Sequence, residues 1–312
     1  MISAAYASFD LVDFDYSMQF NKDNPKGELY QHLSDVYYKN SPDKLECSAE
    51  VLIPKKIHQI WLGPLPIPDY SKEYTETWKK LHPDWEYKLW RESDIESWDF
   101  ATKDLFNKAS SYQEKSDILR YEILNKFGGL YVDMDYKAIK KMDDLHCLYS
   151  FYGSIEPNLN GDNRVTITNA IIGSDPNNEI LERTLFLIRQ NWDNVESGFR
   201  EEAKHLSGKG DIIHLAVNRT MMPLTQAIAE KIDSEPRAII LPPTYLSIEV
   251  RDKFFDPLKR VLGMDSRRLL FRTVQPETMA TQNRGGNRNI INLSSINIEE
   301  PWYKRIYNKV RD

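Results

Sequence analysis

One stretch, YQEKSDILRYEILNKF followed by GGLYVDMDY, constrains this chain more than any other part of it. The first segment carries apolar residues at helical spacing and runs into Gly128-Gly129. Glycine accepts the left-handed conformation cheaply, so the pattern predicts a helix over 112–127, an abrupt reversal, and a strand at LYVDM. Spaced at about 100° per residue, Leu119, Ile123, Phe127 and Leu124 form one apolar stripe, and Glu114, Lys115, Glu122, Asn125 and Lys126 are expected to face solvent. Arg120 falls inside the stripe and Asp117 at its edge, one turn earlier. A charge aimed at the core needs a partner or a ligand, because an unpaired buried ion is costly. Asp117 and Arg120 are either a simple pair at i, i+3 or the lining of a polar cleft for a hydroxylated, anionic ligand. The reversal places that helix beside the strand carrying Asp133. On an extended strand Tyr131, Asp133 and Asp135 share one side by the period of two.

The flanking segments set the architecture. KIHQIWL reads as a strand ending in the breaker-rich GPLPIP, SKEYTETWKKL as a helix stopped before His82-Pro83, and EYKLW as the next strand. This β-α-β unit favours a parallel sheet and an α/β fold. VTITNAIIG, RAIILPPTYLSI and LLFRTV add strand candidates, and PNNEILERTLFLIRQNW and PWYKRIYNKV add helices. Residues 1–50 read as an N-terminal appendage with a short helix at ELYQHLSDVYYK, and 51–312 as the main domain. Trp61 stands where the first strand ends, and ligands of open α/β sheets bind beyond the carboxyl ends of strands. It is a candidate aromatic platform for a nucleobase.

Composition narrows the partners. The 312-residue chain, 41% hydrophobic and 28% charged, is ordinary for a soluble globular protein, and its net charge of −6 disfavours nucleic acid as a partner. Cys47 and Cys147 are too few and too far apart for a disulfide framework and are expected as separate thiols. No stretch is long and apolar enough to span a membrane, and the start lacks the pattern of a Sec signal. The expectation is a soluble protein, with export into a host cytoplasm by a specialised system left open.

IHQIWLG, WKKLHPDWEYKLW and SDILRYEILNKFGGLYVDMD, in this order and at these intervals, resemble the DXD-motif glycosyltransferases of the Och1-like sugar-transferase group. They are also similar to the glucosyltransferase domain of large clostridial toxins and of bacterial effectors. The resemblance is dense from Pro54 to Tyr136 and does not extend into residues 1–50. It implies a GT-A (Rossmann-like) fold with additional helices, a nucleotide-sugar donor with a UDP sugar favoured, Mn2+ or Mg2+, and hexose transfer with retention of configuration. Carried over by position, Trp61 would stack on the base, and Asp117 and Arg120 would hold sugar hydroxyls. Tyr131 would line the nucleotide site, and Asp133 would contact the sugar or the metal. Asp135 would ligate the metal, Asn169 would reach the donor sugar, and Trp302, with Glu299 and Glu300, would close the site. Oxygen ligands of this kind suit those cations. The expected acceptor is a protein, as for effector toxins; a glycan or lipid acceptor and a non-catalytic nucleotide-sugar-binding scaffold are the alternatives.

Overall fold

A computed structural model describes residues 27–48, 51–156, 165–202, 215–246, 248–249 and 278–282. Its centre is a six-stranded sheet built from β1 (Lys56–Ile60), β2 (Glu86–Trp90), β3 (Gly129–Val132), β5 (Phe151–Ile155), β6 (Ile167–Ser174) and β7 (Ala238–Leu241). The strand order is β2-β1-β3-β6-β5-β7. β1 runs parallel to both β2 and β3, β6 runs antiparallel to β3 and β5, and β7 is parallel to β5. A second sheet joins β4 (Tyr136–Ala138) to β9 (Ala280–Gln282) and β8 (Ile248–Glu249).

The α/β reading therefore holds, and the β-α-β unit is present as the alternation indicated. The helix between β1 and β2, α2 (Asp69–Leu81), buries Trp78 fully and donates its indole N–H to the Tyr136 carbonyl at 2.9 Å. α1 (Glu28–Lys39) covers the ELYQHLSDVYYK segment. It shares the core: the Tyr37 and Tyr245 hydroxyls meet at 3.1 Å, and the Asn40 amide donates to the Ala238 carbonyl of β7 at 2.8 Å. Just beyond it, Cys47 and Cys147 form a disulfide across a sequence separation of 100 residues, not the separate thiols expected. Packing of α1 on β7 brings together two cysteines that spacing alone holds apart. By the loop-length relation, closing so long a loop stabilises by about 4–5 kcal/mol.

α3 (Tyr112–Phe127) spans the predicted residues. Ser111 caps its start by accepting from the Glu114 N–H at 3.1 Å. Gly128 and Gly129 follow with φ of +59° and +106°. A β-carbon on Gly129 would lie 2.8 Å from the Lys56 carbonyl oxygen, so both the conformation and the closeness of β1 demand glycine. The expected solvent face of α3 is a different matter. Glu114 is 1% and Glu122 5% exposed, and Ile118 and Tyr121 are fully buried. The helix is enclosed by the sheet, by the short helix Lys103–Lys108, by α4 (Glu179–Glu202) and by the segment before α5 (Met222–Lys231). Each buried carboxylate has donors: Glu122 accepts from the Thr102 N–H and hydroxyl at 2.7 and 2.6 Å. Periodicity within one helix cannot see neighbours arriving from distant sequence.

Candidate active site

The parallel strands β1 and β3 end at the same edge of the sheet, and Trp61 and Asp133 leave from those ends. β3 stops at Val132, so the acidic pair is not on an extended strand as the period of two suggested. The chain turns at Asp133-Met134-Asp135, with the Tyr136 N–H donating to the Asp133 carbonyl at 3.1 Å, before entering β4.

Arg120 organises the rim. It reaches from α3 beneath the turn, with Nη2 2.5 Å from Asp117 Oδ1 and Nη1 3.2 Å from Asp133 Oδ1. Nη1 also donates to the Asn169 carbonyl on β6 at 2.6 Å, and Nε to the Ser116 carbonyl at 3.3 Å. The guanidinium lies 4.4 Å from the centre of the Tyr131 ring, and the Tyr131 hydroxyl donates to Asp133 Oδ1 at 2.6 Å. The i, i+3 pair exists, and the same guanidinium bridges to the acidic turn.

Burial grades the site. The Arg120 and Asp117 side chains are 4% and 8% exposed, that of Asp133 31%. Solvent therefore meets Asp133 first, while the ions beneath it are enclosed. Burial pushes the Asp117 carboxyl up to about 6, against the pull of Arg120 and the Thr220 hydroxyl. The neighbouring acidic groups raise Arg120 despite its burial, so it stays a cation. Burial raises Tyr131 well above the ordinary phenol value, which keeps its proton available to Asp133.

Asp135 is met from the second sheet: β9 pairs with β4, and the Gln282 amide nitrogen lies 3.4 and 3.3 Å from the two oxygens of Asp135. Gln59, fully buried on β1, accepts from Thr75 and Tyr87 at 2.7 and 2.9 Å and donates to the Asp133 carbonyl at 3.4 Å. Trp61 is half-buried at the end of β1, and its indole N–H donates to the Leu65 carbonyl at 2.7 Å. Its own carbonyl accepts from Arg91 Nη1 at 2.9 Å.

The structure thus gathers Asp117, Arg120, Tyr131, Asp133 and the Asn169 backbone into one contiguous network, with Asp135 on the same turn and Trp61 on the adjacent strand end. Trp302, Glu299, Glu300 and the LSGKGD stretch (206–211) lie outside the described residues. Sequence reading missed Gln282, Gln59 and Thr220. A buried glutamine on a strand end is a readable signal for Gln59; for the other two only long-range pairing supplies one. Among the described residues no group of three or more His, Cys, Asp or Glu forms a metal cluster.

Residues 68–152 match the glycosyltransferase sugar-binding region containing a DXD motif. The chain is 31% identical over 140 residues to mannosyl phosphorylinositol ceramide synthase SUR1 of Saccharomyces cerevisiae, a match covering 43% of this chain and 34% of that protein. It is 30% identical over 153 residues to the uncharacterized glycosyltransferase L373 of Acanthamoeba polyphaga mimivirus, covering 46% of this chain and 60% of that one. The chain therefore spans less than two thirds of the length of these curated relatives. Among solved structures, the PaToxG glycosyltransferase is similar in backbone course, with a TM-score of 0.42 and 17% identity over 71% of this chain and 79% of that one. The matched stretch, residues 68–152, encloses the Asp133–Asp135 turn and the helix that supports it.

Proposed function

We propose that the protein is a metal-dependent glycosyltransferase that moves a hexose from a nucleotide sugar, with a UDP sugar as the leading donor, and retains the anomeric configuration. The observation that carries this reading is the graded rim: an enclosed Asp117–Arg120 pair bridging to a solvent-reachable Asp133, with Asp135 on the same turn. Arg120 and Tyr131 both engage Asp133 Oδ1 and so fix the carboxylate before any ligand arrives. Preorganised charge of this kind lowers the reorganisation needed when the donor bond breaks. Trp61 would offer the base a half-buried ring at the neighbouring strand end, and Asp117 and Arg120, with Asn169 beside them, would hold the sugar.

The donor set fits Mn2+ or Mg2+: both side chains on the turn are hard carboxylate oxygens, held by Asp133 and Asp135. Bound there with the diphosphate, the cation would supply stabilisation of the negative charge that builds on the leaving group. Two carboxylates do not fill an octahedral shell, and such ions are ordinarily completed by substrate phosphates and water. Cation and nucleotide should therefore bind together. In calorimetry Mn2+ alone should bind weakly and UDP alone weakly, and each should tighten the other; independent binding would contradict the reading.

The acceptor is proposed to be a protein hydroxyl or amide. A second reading, an inositol-bearing lipid, is favoured by the similarity to a synthase whose name specifies that product class. Purified protein with UDP-glucose, UDP-GlcNAc or GDP-mannose and Mn2+ should hydrolyse one donor slowly. Labelled donor in a lysate separates the acceptor readings by whether label enters protein or the lipid extract. Absence of donor binding and turnover would sink both.

A further inference from the structure

α5 is preceded by a π-helical turn, Val217–Met221, and the turn is fastened to one face of α3 at three successive points. Arg219 Nη1 lies 2.9 Å from Glu114 Oε1, with both side chains buried and the guanidinium 4.1 Å from the centre of the Trp192 ring on α4. The Thr220 hydroxyl lies 2.8 Å from Asp117 Oδ2 and 2.7 Å from the Ala216 carbonyl, and its one proton is shared between these two acceptors. The Tyr121 hydroxyl donates to the Thr220 carbonyl at 3.0 Å. Glu114, Asp117 and Tyr121 stand on successive turns of α3, so consecutive residues of the π turn grip a line of them. Single π turns inside helices recur at functional sites, where they re-aim side chains that an α-helical course would turn away.

We propose that Thr220 is a positioning residue for the sugar subsite. Asp117 Oδ1 is taken by Arg120, and a carboxylate held at one oxygen alone can swing about that contact. The Thr220 hydroxyl holds the second oxygen and thereby sets the plane of the carboxylate, and fully buried Thr220 cannot itself touch a ligand. The fastening of the π turn to Glu114 and Tyr121 keeps that hydroxyl in place. This inference rests on the proposed nucleotide-sugar donor and on Asp117 facing its sugar. It separates the two halves of the donor: Thr220 serves the sugar, while the base and diphosphate depend on Trp61 and the Asp133–Asp135 turn.

The test compares binding of UDP with binding of the nucleotide sugar that the wild-type protein takes from a panel of UDP-glucose, UDP-GlcNAc and GDP-mannose, with GDP replacing UDP for the last. Thr220→Val keeps the shape and deletes the donor. It should weaken nucleotide-sugar binding about tenfold, the worth of a hydrogen bond to a charged group, and leave the nucleoside diphosphate within about twofold. Thr220→Ser should restore the wild-type ratio. Should Thr220→Val fail to fold, Thr220→Ala, which deletes the same hydroxyl with a smaller side chain, should shift the same ratio in the same direction. Equal weakening of both ligands would assign Thr220 a merely structural role, and no weakening would assign it none; either overturns the inference while leaving the glycosyltransferase reading intact. A wild-type protein that binds no member of the panel would overturn both.

Discussion

The two ends of the parallel strands β1 and β3 bury polar groups in opposite ways. At the exit end the network is ionic: Asp117, Arg120 and Asp133 are joined by ion pairs. At the entry end it is neutral. His58 Nε2 donates to the Gly128 carbonyl at 2.9 Å while its Nδ1 accepts from the Trp90 indole at 3.2 Å. His146 Nδ1 donates to the Ile53 carbonyl at 3.0 Å and its Nε2 accepts from the Tyr152 hydroxyl at 3.0 Å. His82 repeats the arrangement between the Trp78 carbonyl and the Met142 N–H, each at 2.9 Å. Each ring spends one nitrogen as donor and one as acceptor, the full capacity of a neutral imidazole. A neutral network is enough where the task is to fasten chain segments. Buried ions are more costly to desolvate, and replacing such pairs by apolar residues often stabilises a protein. Among the described residues the two ion pairs with nearly enclosed side chains, Asp117–Arg120 and Glu114–Arg219, both lie on α3.

The comparison breaks first at the acidic turn. Asp135→Asn should remove metal-dependent donor turnover, by more than about a hundredfold, while leaving the thermal transition close to that of the wild-type protein. Full activity in this variant would erase the distinction between a working end and a fastening end. Next in size is Arg120→Met, which strands Asp117 and Asp133 without their cation. The expected loss is about 3–5 kcal/mol in a urea titration, since removing one partner leaves an uncompensated buried charge. A loss below about 1 kcal/mol would mean the network relaxes into solvent.

Acid then separates the two ends by sign. Burial lowers His58 to about 4 and His146 to about 3 from an ordinary 6.5, so the stability they confer is present above 6.5 and is lost as pH falls through those values. Asp117 is raised to about 6 from 3.8, so its contribution is present below 3.8 and is lost as pH rises through 6. Two histidines outweigh one carboxylate, and the net loss from these groups between about pH 6 and pH 4 should be on the order of 2 kcal/mol. His146→Gln should flatten the slope of the urea midpoint against pH, and Asp117→Asn should steepen it; the reverse pattern would contradict the assignment of charge. The smallest effect is expected at the joint between the ends. Gly129→Ala should cost about 1–3 kcal/mol, because alanine at positive φ is strained and its β-carbon would meet the Lys56 carbonyl. If the strain shifts β3, donor affinity should fall with stability in the same variant.

Much of this was legible in the residues themselves. The bounds of α3, the glycine reversal, the β1-α2-β2 unit and the convergence of Arg120 with Asp133 follow from helical spacing, the conformational demands of glycine and the intolerance of a core for unpaired charge. Three readings went astray, and each failed for want of a distant neighbour. Glu114 and Glu122 looked solvated because nothing on α3 announces Arg219 or Thr102. Cys47 and Cys147 looked separate because packing of α1 on the sheet closes their gap. Asp133 and Asp135 looked like strand residues because the turn into β4 is completed by pairing with β9, more than a hundred residues later.

The sequence by itself determined which elements form and which charges must find company, since local backbone preference and the cost of burying an ion act on any chain with these residues. Only the tertiary structure decided who the company is. The Thr220 hydroxyl on Asp117, the Gln282 amide on Asp135 and the enclosure of α3 all depend on segments far apart in the chain, held together by a buried core whose packing no single stretch encodes.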